Sequence, residues 1–374
     1  HAPTLSLAQV NRFAPNSLSI IEVNTKEDVS IVDKIYNETE LLGENIPDKW
    51  GFKQSQEYNV SSDRKLFNES GDGRPVFEGK MISQFDHEFA PPRAWITEKT
   101  LRENEATGYW RELVRKKKPV NVLDCFQYRV GFRRVARSTD IRSMISTVVP
   151  AKVACTDKCV IVRRFVPNPK TGDPVEAISA AQTVFLCGTL NTVSCDFVVR
   201  FKITLQLDMH IVETLPIPRL GSGDPRDATY FWPIVARALR LVSTTDEYAD
   251  LWAEVFPQIP SAALDDLATA PPAYGPAHEQ SLRERLAESY GSLTADWTSY
   301  CGLHDRTPER RDTGDRAQTR AELDALIAHL YGLTRDEFAY ILDTFPVLRR
   351  KEQAAFGEYQ SKRKALEEFK RFQS

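Results

Sequence analysis

The sequence predicts an α+β protein, in which a mixed, strand-rich region precedes a helical C-terminal region. Short apolar or alternating runs of the kind found in strands occur at residues 74–82, 127–135, 152–166 and 181–186. Amphipathic patterns with helical spacing occur at residues 232–241, at 248–256 and from 320 onward. Strands followed by a run of helices are typical of an α+β fold.

The N-terminal region is mixed and rich in loops. Residues 28–36 show a helical pattern, with Val29, Val32 and Ile35 on one side. Residues 59–73 are rich in Ser, Asn, Asp and Gly, which indicates a loop. We expect residues 1–73 to act as a connector ahead of the strand-rich domain.

A turn signal separates the two main regions. Residues 216–218 read Pro-Ile-Pro, and residues 221–225 read Gly-Ser-Gly-Asp-Pro. The sequence therefore predicts a strand-rich domain over residues 74–220 and a helical domain over residues 226–374. Residues 197–207 fit either a strand or a helix.

Helix signals are strongest near the C-terminus. One helix face is formed by Leu323, Leu326, Ile327 and Leu330. Gly332 occupies the position of a C-terminal cap, and the next helix begins with a capping box in which Thr334 is followed by Glu337. Pro346 follows the end of that helix, and residues 349–372 are predicted to form one last charged helix.

Charge is distributed unevenly along the chain. The whole sequence has a formal net charge of −3, yet residues 101–170 hold 16 basic and 6 acidic residues. Like charges crowded on one module repel each other unless a polyanion neutralises them. Aromatic residues interleave with this basic block, and arginine suits two-point contacts with phosphates and guanine. The block therefore favours a nucleic-acid partner over a solvated basic face without a partner.

The cations expected to contact DNA share a position within or just before this block. They are Lys80, Lys116, Lys117, Arg129, Arg133, Arg134, Arg137, Arg142, Arg163 and Arg164. For some of them the alternative is a buried ion pair with Asp124 or Asp140. The sequence leaves both DNA contact and a buried ion pair open.

The six cysteines and the apolar runs limit the classes of protein to which the chain can belong. Scattered cysteines in a chain of this size predict free thiols in a reducing cytoplasm. Cys155 and Cys159 lack further ligands at zinc-site spacing, so no metal site is expected there. The longest apolar runs are too short to span a bilayer, so no membrane partner is expected.

The sequence carries little catalytic chemistry. It has neither the glycine motif of a cofactor-binding methyltransferase nor the Asn/Asp/Ser-Pro-Pro-Tyr/Phe loop that holds a flipped base. Glu78 and Lys80 match the Glu-x-Lys half of a metal-dependent nuclease site, with Asp72 upstream. A Mg²⁺-dependent nuclease using Glu78 and Lys80 therefore stays open as an alternative function.

Segments in a fixed order along nearly the whole chain resemble one known family. They lie at residues 16–20, 76–87, 128–142, 190–197, 215–218 and 323–342. The chain resembles the region that follows the catalytic domain in type IIG-like restriction–modification methylases and in phage-defence (BREX- and DISARM-like) adenine methylases. Each segment alone is a weak match, and their common order carries the resemblance.

The resemblance implies that catalysis and DNA recognition belong to different halves of the parent protein. The catalytic half, absent from this chain, would bind S-adenosylmethionine and methylate adenine N6, whereas this half would bind double-stranded DNA and select the site. No cofactor is then expected in this chain itself, and the methyltransferase core is an expected partner. The remaining alternative is a protein-binding scaffold of a defence complex.

Overall fold

The fold was obtained as a computed structural model, which describes residues 3–15, 21–37, 39–103, 124–168, 171, 173–268 and 314–373. It is α+β, as the sequence predicts. The strands are β1 (Gln54–Ser55), β2 (Arg74–Phe77), β3 (Trp95–Ile96), β4 (Arg129–Arg133), β5 (Ser146–Val149), β6 (Ala154–Cys155), β7 (Cys159–Val162), β8 (Phe165–Pro167) and β9 (Pro174–Glu176).

Among the described residues, α-helices occur along the whole chain and dominate its second half. They are α1 (Leu7–Phe13), α2 (Lys26–Asn37), α3 (Glu98–Glu103), α4 (Ala180–Leu190), α5 (Val193–Arg200), α6 (Met209–Glu213), α7 (Trp232–Val242), α8 (Ala249–Val255), α9 (Ser261–Ala268), α10 (Gly314–Leu330), α11 (Arg335–Asp343), α12 (Pro346–Phe356) and α13 (Gln360–Arg371). In the part of the chain that the structure describes, no helix is both long and apolar enough to cross a membrane.

The chain divides into two compact units whose boundaries differ from the predicted domains. The strand-rich unit comprises Asn45–Val135 and Ile145–Cys187, and the helical unit comprises His1–Glu44, Ala136–Met144 and Gly188–Ser374. Residues 1–44 thus belong to the helical unit, and residues 45–73 belong to the strand-rich unit. Within the helical unit, Tyr36 of α2 donates a hydrogen bond to the carbonyl of Thr214 (2.8 Å), and Lys34 pairs with Glu337 of α11 (2.7 Å).

Small sheets form the strand-rich unit. An antiparallel sheet has the order β1-β7-β4-β5, a second sheet has the order β3-β2-β6 with β2 and β6 parallel, and β8 and β9 form a hairpin. The register places Gly131 opposite both Thr147 and Ile161. One apolar cluster of this unit is formed by Phe77, Met81, Ile82, Val149, Val153, Cys155, Cys159 and Ile161.

The cysteines lie in the core. Cys125, Cys155, Cys159, Cys187 and Cys195 are free and buried, as expected, whereas Cys301 lies outside the described residues. Burial raises the pKa of the Cys187 thiol to about 12, so this thiol stays protonated at neutral pH.

The helical unit packs around α7, α10 and α13. These helices contribute fully buried side chains, among them Leu239, Ile327 and Phe369. The predicted cap signals are present: Gly332 has φ 65°, and Thr334 and Glu337 form a reciprocal capping box at the start of α11. The charged tail forms two helices instead of one, because the chain turns through Gly357 at φ 75° between α12 and α13.

Candidate nucleic-acid interface

Arg129 lies in the core of the strand-rich unit and does not face solvent. Its side chain is 0% exposed, pairs with the carboxylate of Glu57, and donates to the carbonyl of Val153 at 2.8 Å. A second carboxylate, that of Asp124, lies 3.8 Å away. Burial alone would lower the pKa of Arg129, but these two carboxylates outweigh burial and raise it. The guanidinium is therefore charged and already neutralised inside the protein.

Arg142 is buried in the helical unit. Its Nε donates to Asp196 of α5 at 2.8 Å, and a terminal nitrogen donates to the carbonyl of Asn191 at 2.6 Å. The same Asp196 carboxylate accepts the backbone N–H groups of Ser143 and Met144, at 3.0 and 2.8 Å. Arg142 and Asp196 thus fasten residues 136–144 to α5.

Arg163 and Arg164 are also buried, at the end of β7. Arg163 donates to the hydroxyl of Ser55, and Arg164 pairs with Glu176 of β9 at 2.7 Å. Asp124 accepts the backbone N–H of Arg164 at 2.9 Å. Arg129, Arg142 and Arg164 are buried and paired with carboxylates, and Arg163 is buried against Ser55, so this fold leaves little of these four guanidinium groups accessible to DNA. For Arg129, the alternative partner Asp124 is present.

Three segments of the strand-rich unit converge where the remaining cations lie. They are the 3-10 helix Gly79–Met81, the end of β4, and the turn of residues 156–158 between β6 and β7. The N–H of Arg134 donates to the carbonyl of Lys158 at 3.1 Å. Gly79 packs so closely on that turn that an added Cβ would lie 2.5 Å from the same carbonyl oxygen. The backbone therefore brings the three segments into direct contact.

This convergence creates a surface that we call the basic rim, formed by Lys80, Arg133, Arg134 and Lys158. Lys80 and Lys158 are 47% and 42% exposed, and Arg134 is 23% exposed. Arg133 is half-buried and donates through Nε to the carbonyl of Ile82 at 2.8 Å. The sequence predicted three of these four cations and missed Lys158, because residues 152–166 read as continuous strand and concealed the turn that carries it.

Carboxylates pair with cations of the basic rim, and these cations remain partly exposed. Lys80 lies 2.8 Å from Glu78, and Lys158 lies 2.8 Å from Asp157, which is also 4.0 Å from Arg134. A pair near the surface such as Lys80–Glu78 contributes only about 0–1 kcal/mol, whereas Asp157 is buried and also accepts the backbone N–H of Val60. A polyanion can therefore compete for the Lys80 ammonium group at small cost.

Three of the predicted cations are not assigned to the basic rim. Arg137 is exposed in the helical unit, where its backbone N–H donates to Asp140 at 3.0 Å. Lys116 and Lys117 lie outside the described residues. Among the predicted cations that the structure describes, Lys80, Arg133 and Arg134 are brought together.

The Glu78 and Lys80 pair differs from the arrangement expected of a nuclease. Glu78 follows the end of β2, Lys80 lies on a 3-10 helix, and the two side chains pair with each other. Within the described part of the chain, Glu78 belongs to no group of three side chains placed to hold a metal ion. No specific observation favours the nuclease alternative.

No family model, no curated protein and no solved structure matches the chain.

Proposed function

We propose that this chain is the DNA-binding, target-recognition part of a bacterial restriction–modification or phage-defence adenine-N6 DNA methyltransferase. The single observation that carries the proposal is the basic rim, where distant parts of the chain place four cations side by side. Grouped cations suit a phosphate backbone, whose neutralisation supplies a large share of the affinity in DNA binding.

The resemblance of the sequence to the region downstream of methylase catalytic domains supports the same proposal. In this view the catalytic half of the parent protein binds S-adenosylmethionine and methylates adenine, and the present chain holds the duplex in the cytoplasm. The chain has no loop of the type that holds a flipped base, so no catalytic step is assigned to its residues.

The test compares two exposed lysines of the strand-rich unit. Lys158→Glu should weaken binding to a short fluorescein-labelled duplex of mixed sequence by about tenfold at low salt, since one phosphate contact is replaced by repulsion. Lys65→Glu makes the same charge change on the 3-10 helix Arg64–Leu66 and should leave binding unchanged. Fluorescence anisotropy gives both affinities. An unmodified chain that binds no duplex at low salt would contradict the proposal.

A further inference from the structure

Phe89 is an exposed aromatic side chain beside the basic rim. It lies on a loop that is held by several contacts. Phe85, 2% exposed, donates its N–H to the carbonyl of Ser146 at 3.0 Å. His87, also 2% exposed, lies with its ring centroid 6.5 Å from that of Phe77. After Phe89, the N–H of Ala90 donates to the carbonyl of Met81 at 3.4 Å.

The backbone of this loop is held in a costly conformation. Phe85 adopts a left-handed φ of 59°, which costs a non-glycine residue roughly 1–2 kcal/mol. Burial of its ring and the bond to β5 offset that cost. The loop consequently presents Phe89 in a fixed place, next to the 3-10 helix that carries Lys80.

A cation covers part of the Phe89 ring. The guanidinium carbon of Arg133 lies 5.3 Å from the ring centroid, while 44% of Phe89 is exposed. A single exposed apolar side chain is common and needs no explanation by itself. The combination of a flat ring, a planar guanidinium and neighbouring lysines is what proteins use to bind unstacked bases beside their phosphates.

We propose that Phe89 is a base-stacking residue, which contacts a nucleobase whose phosphates are held by the basic rim. This inference rests on the proposed DNA-binding function and extends it. It identifies the ligand as a nucleic acid with at least one base displaced from the helical stack. Phosphates alone would satisfy the lysines, but they offer nothing to a phenyl ring, since base stacking on an aromatic side chain needs a π-face.

The experiment separates the base from the phosphate. Anisotropy measures binding of the full chain to the labelled duplex, to a labelled single strand and to fluorescein-labelled heparin, which is a polyanion without bases. Phe89→Ala should weaken binding to the single strand, whose bases are accessible, by about fivefold or more, the lower end of one stacking contact. It should weaken duplex binding less and leave heparin affinity unchanged. Phe89→Trp should retain the affinity, whereas Phe89→Leu, which keeps apolar volume without a ring, should lose it.

Val175→Ala is the matched control, because Val175 is also 44% exposed but lies on β9. It should change neither affinity. Equal losses of nucleic-acid and heparin binding in Phe89→Ala would mean that Phe89 only positions Arg133, and would overturn the stacking proposal. So would unchanged nucleic-acid binding in Phe89→Ala while Lys158→Glu weakens it, which leaves the DNA-binding proposal intact. An unmodified chain that binds heparin but neither nucleic acid overturns both.

Discussion

Asp324 carries a carboxyl group into the core of the helical unit. It lies on α10 and accepts the N–H of Val193, the first residue of α5, at 2.7 Å. Burial raises the pKa of Asp324 to about 6, although Arg142 and the Val193 N–H both act to lower it. The folded chain therefore holds this proton more tightly than the unfolded chain does.

The sign of the pH effect follows from that raised pKa. The stability contributed by protonated Asp324 is fully present below its unfolded pKa of about 4 and is lost as the pH rises through about 6. Asp324→Asn stays neutral and keeps an oxygen for the Val193 N–H. We expect this variant to be more stable than the unmodified chain by about 1–3 kcal/mol at about pH 7.5, with a smaller difference at about pH 5.

Urea unfolding of both proteins at the two pH values measures this difference. Asp324→Glu is the control, since it keeps the titratable group and should keep the pH dependence. If Asp324→Asn were less stable by the same amount at both pH values, Asp324 would be a net stabilising ion, and the expected gain from a neutral side chain would be refuted.

The arginines show why residue-level inference from the sequence was only partly successful. Arg129 and Arg134 lie five positions apart in the same basic block and contribute equally to its charge. Arg129 is buried because Glu57, 72 positions away, meets it across the strand-rich unit. A pairing at that separation leaves no trace in local composition, so the block predicted a basic surface but not which cations form it.

At the scale of secondary-structure elements, local signals succeeded where they depended on local chemistry. The capping box of α11 and the helix at residues 28–36 needed only nearby residues, and both are confirmed. The strand predicted at residues 181–186 is wrong, because these residues belong to α4. That helix is buried on all sides and lacks a polar face. Its apolar run is therefore indistinguishable from the pattern of a buried strand.

A cap signal could have corrected that assignment. Ser179 and Gln182 form a reciprocal pair at the start of α4: the Ser179 hydroxyl accepts the N–H of Gln182 at 3.2 Å, and the Gln182 side chain accepts the N–H of Ser179 at 2.9 Å. This Ser-x-x-Gln spacing is a helix start signal that can be recognised in the sequence. The convergence at the basic rim has no such signal, since it arises from tertiary packing.

The contact between the 3-10 helix Gly79–Met81 and the turn of residues 156–158 gives an element-scale prediction. Gly79→Ala would place a Cβ 2.5 Å from the Lys158 carbonyl oxygen, a backbone atom. The two segments must then separate, which moves Lys80 away from Lys158. We expect weaker DNA binding and a loss of about 1–3 kcal/mol in the free energy of unfolding.

Gly51→Ala is the matched control, because its added Cβ would meet Ala177 at an ordinary 3.8 Å. Anisotropy and urea unfolding measure the two effects. A Gly79→Ala variant that binds DNA as well as the Gly51→Ala variant would show that binding does not depend on this close contact.

At the scale of the whole molecule, net charge opposes DNA binding. The chain carries −3 overall, so long-range attraction cannot account for affinity, and binding must depend on local contacts. If each of the four cations of the basic rim neutralises one phosphate, the plot of log affinity against log salt should have a slope of about −3 to −4, at about 0.9 per contact.

Lys80→Ala combined with Lys158→Ala should make that slope shallower by about 2, because two phosphate contacts are lost. Lys65→Ala combined with Lys99→Ala removes the same charge from exposed positions outside the basic rim, and should shift the slope little. Anisotropy titrations over a series of salt concentrations give all three slopes. If the slope became equally shallow in both double variants, DNA affinity would depend on the total charge of the protein. The basic rim would then not be the surface that binds DNA.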